Sequence, residues 1–157
     1  MNLSLLTVGK TDIKWVKEGL DLYVSRLRHY VPFTLTEIPE LKKVSALSEA
    51  QIKEKEGELI LKQLGPSDVL VLLDEKGNTY RSVEFARWLQ GQLNQGGRNL
   101  VFVIGGAYGF SPAVYARANS LLSLSPMTFS HQMVRTVFAE QLYRAFTILK
   151  GEPYHHE

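Results

Sequence analysis

The chain of 157 residues contains no cysteine. This absence excludes disulfide bonds, thiolate catalysis and cysteine-based zinc sites, and it is typical of proteins from a reducing compartment. No apolar run approaches the roughly 20 residues that span a bilayer. The opening residues, MNLSLLTVGKTD, lack the basic segment and small-residue cleavage site of a secretory signal peptide. We therefore expect a cytoplasmic protein.

Acidic residues are missing from a stretch of 55 residues that runs from Phe85 to Ala139. The same stretch holds five basic or potentially basic residues: Arg87, Arg98, Arg117, His131 and Arg135. Net charge over the whole chain is only +2, so composition alone identifies no partner. A basic region of this length is typical of a surface that binds an anion such as nucleic acid, but a buried core segment would leave the same gap.

Apolar runs alternate with amphipathic segments along the chain, a pattern that predicts an α/β fold. Strands are expected at residues 3–8, 33–38, 69–73, 100–104 and 121–124. Helices are expected after capping residues Asp12, Ser48, Ser82 and Ser111, with a long last helix from His131 to Lys150 that Gly151 ends. The strands are almost entirely apolar, which favours a mostly parallel central sheet with helices on both faces. No linker or repeat divides the chain, so residues 1–157 are predicted to form a single domain.

The fourth predicted strand ends in a glycine-rich turn, Gly105–Gly109, just before a helix start. This turn lacks the G-x-G-x-x-G pattern of dinucleotide sites, the acidic residue expected about twenty positions later, and the lysine of a P-loop. Two interpretations remain open. The turn is either an ordinary strand-to-helix connection or a place where the backbone lies close to a ligand.

Three loops follow predicted strands: residues 73–77, 105–109 and 125–130. Ligands of open α/β sheets bind beyond the carboxyl ends of strands. If the three strands are neighbours, their loops meet at one pocket, where glycines and small residues leave backbone groups free to bind a ligand. The alternative is three ordinary surface turns.

The remaining polar residues give weak signals. His131 precedes a helix, where a histidine is more often a cap or core residue than a catalyst. His155 and His156 are adjacent, so on an extended chain they point to opposite sides, and no cysteine or carboxylate cluster accompanies them. No metal site is therefore expected. Arg144 lies four residues after Glu140, the spacing of an ordinary helical ion pair.

Four motifs together resemble one family, and they occur in order along nearly the whole chain. They are VFVIGGAYG (101–109), LSLSPMTFSHQMVR (122–135), EQLYRAF (140–146) and PYHHE (153–157). This set is similar to the bacterial large-subunit ribosomal RNA pseudouridine N3-methyltransferases, the H family within the SPOUT superfamily of trefoil-knot methyltransferases.

The resemblance implies an α/β fold with a deep C-terminal trefoil knot, a homodimer, S-adenosylmethionine as methyl donor, and a pseudouridine in ribosomal RNA, within the ribosome, as acceptor. Around the acceptor base it points to Arg144, Tyr154 and His155. The implied cofactor-binding residues are Leu73, Gly105, Ser125, Pro126, Met127, Thr128, Phe129 and Ser130. These belong to the same three loops that follow the predicted strands.

Two positions depart from the family pattern. Ser130 stands where the family often has proline, and His156 where it usually has arginine or lysine. In this scheme Arg144 would stabilise negative charge on the acceptor, and His155 would handle its proton or contact the base. The tail that carries Tyr154 and His155 is expected to fold over the pocket. Two other functions remain open: an RNA-binding or ribosome-binding protein of the same fold without activity, and an α/β enzyme acting on a small molecule.

Overall fold

The computed structural model describes all 157 residues. Its five strands are β1 (Leu3–Val8), β2 (Phe33–Ile38), β3 (Val69–Thr79), β4 (Leu100–Ile104) and β5 (Ser120–Ser123). Its five helices are α1 (Lys14–Leu27), α2 (Glu49–Lys62), α3 (Ser82–Gln95), α4 (Pro112–Arg117) and α5 (Met133–Leu149). A short 3-10 turn covers Val44–Ala46. None of the helices is long and apolar enough to cross a membrane.

All five strands are parallel and lie in the order β2-β1-β4-β3-β5. Side chains of alternate strand residues face opposite sides, so the sheet supplies two cores. One core packs residues such as Leu5 and Phe102 against α1, α3 and α5, and the other packs residues such as Leu72 and Val103 against α2 and α4. The predicted parallel sheet covered by helices on both faces is confirmed, and the trefoil knot stays a prediction of the resemblance.

Three of the predicted helix ends have the expected local chemistry. Ser48 and Gln51 form a reciprocal capping box at the start of α2. The Ser111 hydroxyl accepts a hydrogen bond from the Val114 amide at the start of α4. After α5, Gly151 adopts a φ of 67°, and the amide of Glu152 donates back to the Thr147 carbonyl at 2.9 Å. This is a Schellman ending, which relies on glycine because side chains disfavour that conformation.

Two predicted caps are wrong. The residue before α1 is Ile13, and Asp12 makes no side-chain cap; instead its amide donates to the side chain of Gln132, just before the last helix. Ser82 is the first residue inside α3 and not its cap, because the amide of Arg81 is held by the Glu84 side chain. At α3 the cap therefore lies one residue earlier than the sequence suggests, and at α1 no side chain caps the helix.

Strand β3 is longer than predicted, since it does not end in a turn at Asp74–Gly77. Leu73 and Asn78 both pair with Leu122 of β5, and the residues between them bulge from the ladder. A Cβ on Gly77 would lie 2.6 Å from the Leu121 backbone, so only glycine permits this approach. The bulge carries charged side chains to the carboxyl end of the sheet.

The largest fully buried side chain is Arg135, near the start of α5. Its guanidinium donates to the carbonyls of Val8 and Gly9 at 2.9 Å and to the Thr11 hydroxyl at 2.8 Å. Its Nε donates to the His131 carbonyl at 3.0 Å, and a Glu37 carboxylate oxygen lies 3.6 Å from its Nη1. Arg135 therefore ties the loop after β1 to the segment that enters α5.

The basic region without acids is consequently not one RNA-facing surface. Arg135 is inside the protein, and Arg117 is occupied in binding the carbonyls of Gly65 and Asp68 after α2. Only Arg87, Arg98 and the side chain of His131 are exposed. Much of the gap in acidic residues thus reflects burial, the alternative that the sequence left open.

Replacing Arg135 by methionine tests this buried connection. The variant keeps most of the side-chain volume but leaves several buried carbonyls without a donor, so we expect the free energy of unfolding to fall by about 3 kcal/mol or more. Urea unfolding followed by circular dichroism measures the change. The matched control is Arg87→Met on the exposed face of α3, expected to stay within about 0.5 kcal/mol of wild type; equal losses in the two variants would refute the assignment.

Candidate active site

The main cavity lies at the carboxyl ends of β3, β4 and β5, with a volume of about 540 Å³. These three strands are neighbours in the sheet, so the loops that follow them meet at one place, as predicted. Apolar walls come from residues such as Leu122, Leu124 and Val134, and charged groups come from the β3 bulge. The cavity is large and mixed enough in character to hold an organic ligand.

Seven of the eight residues predicted to bind the cofactor line this cavity: Leu73, Gly105, Ser125, Met127, Thr128, Phe129 and Ser130. Pro126 is the exception. It is an exposed residue of the same loop whose side chain does not line the cavity. The loop therefore contributes to the wall through most of its length.

Two glycines of the 105–109 turn lie very close to neighbouring side chains. A Cβ on Gly105 would lie 3.0 Å from the Phe110 ring, and one on Gly106 would lie 2.8 Å from the Glu56 carboxylate. Phe110 is buried and also lines the cavity. A larger residue at position 105 would thus disturb an aromatic wall of the cavity as well as the access of a ligand to the backbone.

Acidic side chains from the β3 bulge hold the edges of the cavity together. The Thr128 hydroxyl donates to a Glu75 carboxylate oxygen at 2.5 Å, which connects the bulge to the 125–130 loop. The Tyr115 phenol donates to Asp74. Burial, followed by this hydrogen bond, raises the pKa of Tyr115 to about 12, so the phenol stays protonated and remains a donor.

A second, smaller cavity of about 280 Å³ adjoins the first and shares its Gly106–Tyr108 segment and His131. Glu40 and Glu56 contribute carboxylates to its wall. Oε1 of Glu56 is buried and has no hydrogen-bond partner. Burial, followed by the charge of Glu40, raises the pKa of Glu56. No three metal-ligating side chains lie close enough together to hold a metal ion.

His131 is neither a cap nor a core residue, in contrast to the more common role of a histidine at such a position. Its side chain is exposed between the two cavities, while its carbonyl is bound by Arg135. The hydroxyl of Ser130 accepts a hydrogen bond from the Met133 amide at 3.1 Å and so satisfies the start of α5. A proline at position 130 could not make this contact.

The three predicted catalytic residues lie together, joined by Glu140. Arg144 donates to Glu140 Oε1 at 2.6 Å and contacts the His155 Nδ1 atom at 3.0 Å. The Tyr154 phenol donates to the same Glu140 oxygen at 2.9 Å, and the guanidinium of Arg144 lies over the Tyr154 ring at 4.8 Å from its centre. The tail thus docks on the second half of α5 and is not a frayed end.

This tail cluster (Glu140, Arg144, Tyr154 and His155) does not line either cavity of its own chain. Val134 lines the main cavity, and Arg144 lies ten residues further along α5, about 15 Å at 1.5 Å per residue. The expectation that the tail folds over the pocket is therefore wrong within a single chain, because the docked tail packs against α5 at a distance from the cavity.

Known proteins resemble the chain over its full length. A family model described as "Predicted SPOUT methyltransferase" matches residues 1–155. The chain belongs to the SPOUT methyltransferase family. Two relatives named "Ribosomal RNA large subunit methyltransferase H", from Parabacteroides distasonis and Flavobacterium johnsoniae, are 55% and 56% identical to it over 157 residues, which is 100% of both chains in each case. The family resemblance inferred from the motifs is confirmed.

Among solved structures, the SpoU methyltransferase AviRb from Streptomyces viridochromogenes, in complex with the cofactor AdoMet, aligns with a TM-score of 0.44 and 13% identity. The alignment covers 96% of this chain and 61% of that one.

The sequence patterns assigned no role to several acidic and phenolic groups of the site, Glu40, Glu56, Asp74, Glu75 and Tyr115, of which Asp74 and Glu75 entered only as members of the 73–77 loop. They come from four separate segments, and none belongs to a recognisable spacing. The available signal was position, because Asp74 and Glu75 directly follow an apolar strand. Glu140 was noted only as an ion-pair partner, whereas it binds two of the three predicted catalytic side chains.

Replacing Glu56 by glutamine is expected to stabilise the protein at neutral pH. A carboxyl whose pKa is raised in the fold binds its proton more tightly there than in the unfolded chain, so stability decreases as pH rises from the ordinary pKa through the folded one. Removing the buried charge should add about 1 kcal/mol at pH 7 and almost nothing near pH 4, where Glu56 is protonated. Thermal unfolding at both pH values measures this. Glu58→Gln, exposed on the same helix, is the control and should change nothing; a Glu56→Gln variant that is less stable at pH 7 would contradict the expectation.

Proposed function

We propose that the protein is an S-adenosylmethionine-dependent methyltransferase that methylates N3 of a pseudouridine in large-subunit ribosomal RNA, in the context of the ribosome. The observation that carries this proposal is the similarity over all 157 residues to relatives named as large-subunit ribosomal RNA methyltransferases. The cavity at the ends of three neighbouring strands supports it, since that is where open α/β sheets bind ligands.

The residues of the main cavity suit this methyl donor. S-adenosylmethionine supplies an activated methyl group on a positively charged sulfonium. Apolar side chains such as Leu122 and Leu124 offer a wall for a flat base, and the carboxylates of Asp74 and Glu75 favour a cation. Backbone groups of Gly105 and of the 125–130 loop would hold and orient the donor, with little acid-base chemistry required of the cavity itself.

The tail cluster suits an acceptor whose reaction develops negative charge. The N3 atom of pseudouridine lies between two carbonyl groups, and loss of its proton spreads charge onto their oxygens. Arg144 and His155 supply positive or hydrogen-bonding groups next to such a base. These two side chains are largely buried and held on several sides, which fixes their geometry before a base arrives.

A homodimer brings the two half-sites together. Reacting atoms must lie about 3 Å apart, yet the tail cluster is about 15 Å along α5 from the cavity of its own chain. If the tail cluster instead completes the cavity of a second copy, this separation no longer applies. We infer a composite site, formed by the cavity of one protomer and the tail cluster of its partner.

Exposed apolar residues beside α5 offer the surface for this dimer. Trp15 is 60% exposed and Leu22 is 46% exposed on α1, and Met133 is 43% exposed on α5. Gly19, which lies between Trp15 and Leu22 on the same helical face, approaches Thr136 of α5. The apolar stripe therefore follows the groove between α1 and α5, and covering it would remove a contiguous apolar patch from water.

A two-fold axis is consistent with both the distance between cavity and tail cluster and the exposed apolar stripe. If two copies of α5 cross antiparallel with the axis near Val137, Arg144 of the partner subunit lies opposite Ser130, at the mouth of the cavity. A two-fold interface is self-complementary, so one contact would build two identical sites.

The alternative is a ribosome-binding protein of the same fold without activity. The ordered tail cluster and the mixed cavity favour an enzyme, because a binding protein requires neither. Mapping modified nucleotides by mass spectrometry in large-subunit ribosomal RNA, from cells with and without the protein, separates the two. A cytoplasmic location is part of the proposal, since the acceptor is there.

The cavity proposal predicts that Ala107→Trp prevents donor binding. Ala107 is an exposed residue that lines both cavities, so an indole can occupy the entrance without displacing the core. We expect the dissociation constant for S-adenosylmethionine, measured by calorimetry, to rise at least about 100-fold. Ala113→Trp, exposed on α4 and outside both cavities, is the control. Cells that carry only the Ala107→Trp protein should lack the methylated nucleotide; unchanged affinity in a folded variant would place the donor elsewhere.

The composite site predicts complementation between two inactive variants. Ala107→Trp disables the cavity, and Arg144→Ala disables the tail cluster, so each homodimer should be inactive. In a heterodimer formed by unfolding and refolding the mixture, one of the two sites combines an intact cavity with an intact tail. Random pairing of equal amounts should restore about a quarter of wild-type activity on ribosomes. If each site lay within one chain, the mixture would stay inactive.

A further inference from the structure

The contact between Arg144 and His155 determines which nitrogen of the imidazole carries the proton. Nη1 of Arg144 lies 3.0 Å from Nδ1 of His155. A guanidinium has only donors, so Nδ1 must accept this hydrogen bond through its lone pair. In the neutral ring the proton is then on Nε2, which makes Nε2 a donor.

Nε2 of His155 is buried and has no hydrogen-bond partner. A carboxylate oxygen of Glu157 lies 3.9 Å away, beyond hydrogen-bond distance. The side chain of Glu157 is about half exposed and makes one exposed ion pair with Arg81, a type of contact that holds weakly. A ligand can therefore displace Glu157 and satisfy the Nε2 donor, which otherwise stays unpaired.

We propose that His155 acts as a hydrogen-bond donor, through Nε2–H, to a carbonyl oxygen of the acceptor base, and not as the base that removes the N3 proton. The inference rests on the proposed function, which supplies an acceptor with carbonyls on both sides of N3. Donation to one of these oxygens stabilises the ionised imide and lowers the energy needed to lose the N3 proton, which passes to solvent water.

Glu140 is the positioning residue of this arrangement. Its Oε1 accepts from Nη2 of Arg144 at 2.6 Å and from the Tyr154 phenol at 2.9 Å. Burial, followed by hydrogen bonds with Tyr23 and Glu140, raises the pKa of Tyr154, so the phenol stays a donor to Glu140. Glu140 thereby holds the guanidinium in place, and the guanidinium holds the ring of His155 with Nε2–H available.

Two substitutions of His155 distinguish a donor from a base. Glutamine places an amide N–H near the Nε2 position but has no basic nitrogen, whereas asparagine reaches only the Nδ1 position. We expect His155→Gln to keep kcat within about 10-fold of wild type, and His155→Asn and His155→Ala to lose about 100-fold or more. The dissociation constant for S-adenosylmethionine should not change in any of them. If His155 is the base, His155→Gln will be as inactive as His155→Ala.

The pH dependence of kcat gives a second distinction. The charged or titratable groups beside His155 are Arg144 and Glu157, and Arg144 in turn contacts Glu140 and Tyr154. All four remain in the His155→Gln variant, so its profile should run parallel to that of wild type. Loss of a titration between pH 5 and 8 on this substitution would assign proton transfer to His155 and overturn the proposal.

The tautomer can be read without any activity. Long-range 1H–15N correlation spectra of histidine-labelled protein should show Nδ1 of His155 as the nitrogen without hydrogen and Nε2 as the protonated one. Glu140→Gln should give a mixture of the two imidazole tautomers of His155, while the fold and the affinity for S-adenosylmethionine persist. A merely structural role of Glu140 would not produce this result. The opposite tautomer in wild type would overturn the proposal even if the protein is an active methyltransferase. Correct spectra without methylation of ribosomes would instead contradict the proposed function.

Discussion

The buried guanidinium of Arg135 is the contact on which the rest of the site depends. It binds carbonyls at the end of β1 and at His131, on two segments more than 120 residues apart in sequence. A buried charge is tolerated only when its donors are satisfied, and here all three nitrogens have partners and Glu37 lies nearby. Together with the Gln132 side chain, which accepts from the Asp12 amide and donates to the Lys10 carbonyl, it holds the start of α5 against the loop after β1.

The position of α5 determines where both the main cavity and the tail cluster lie. The segment before the helix forms a wall of the main cavity, with the Ser130 hydroxyl closing the first turn. The second half of the same helix presents Glu140 and Arg144 to the tail, and the Schellman ending at Gly151 turns the chain back so that Tyr154 and His155 reach them. One helix thus fixes the distance between the main cavity and the tail cluster.

Much of this fold could be predicted from local patterns, and the reasons are physical. Strands β1, β2 and β4 have the predicted bounds, because short β-favouring runs stand between residues that break strands. The cavity loops could be found because parallel strands direct their carboxyl ends to one edge. The buried state of Arg135, the bulge after Leu73 and the carboxylate of Glu56 could not, because each depends on partners from distant segments. An arginine on a helix carries no local sign that its charge is internal.

Under the proposed function, the separation of the main cavity from the tail cluster has a chemical consequence. An enzyme whose donor cavity already contained the groups that stabilise an anion would place arginine next to a cationic methyl donor and weaken its binding. Here the cavity edges carry Asp74 and Glu75, while Arg144 lies far along the helix, paired with Glu140. Under the proposed function, the acidic edge suits the cationic donor and the arginine suits the acceptor, and the two lie on different parts of the chain. In the proposed composite site, association of two copies would place Arg144 on the acceptor side, where negative charge develops, while the cavity that holds the cation keeps its own acidic edge.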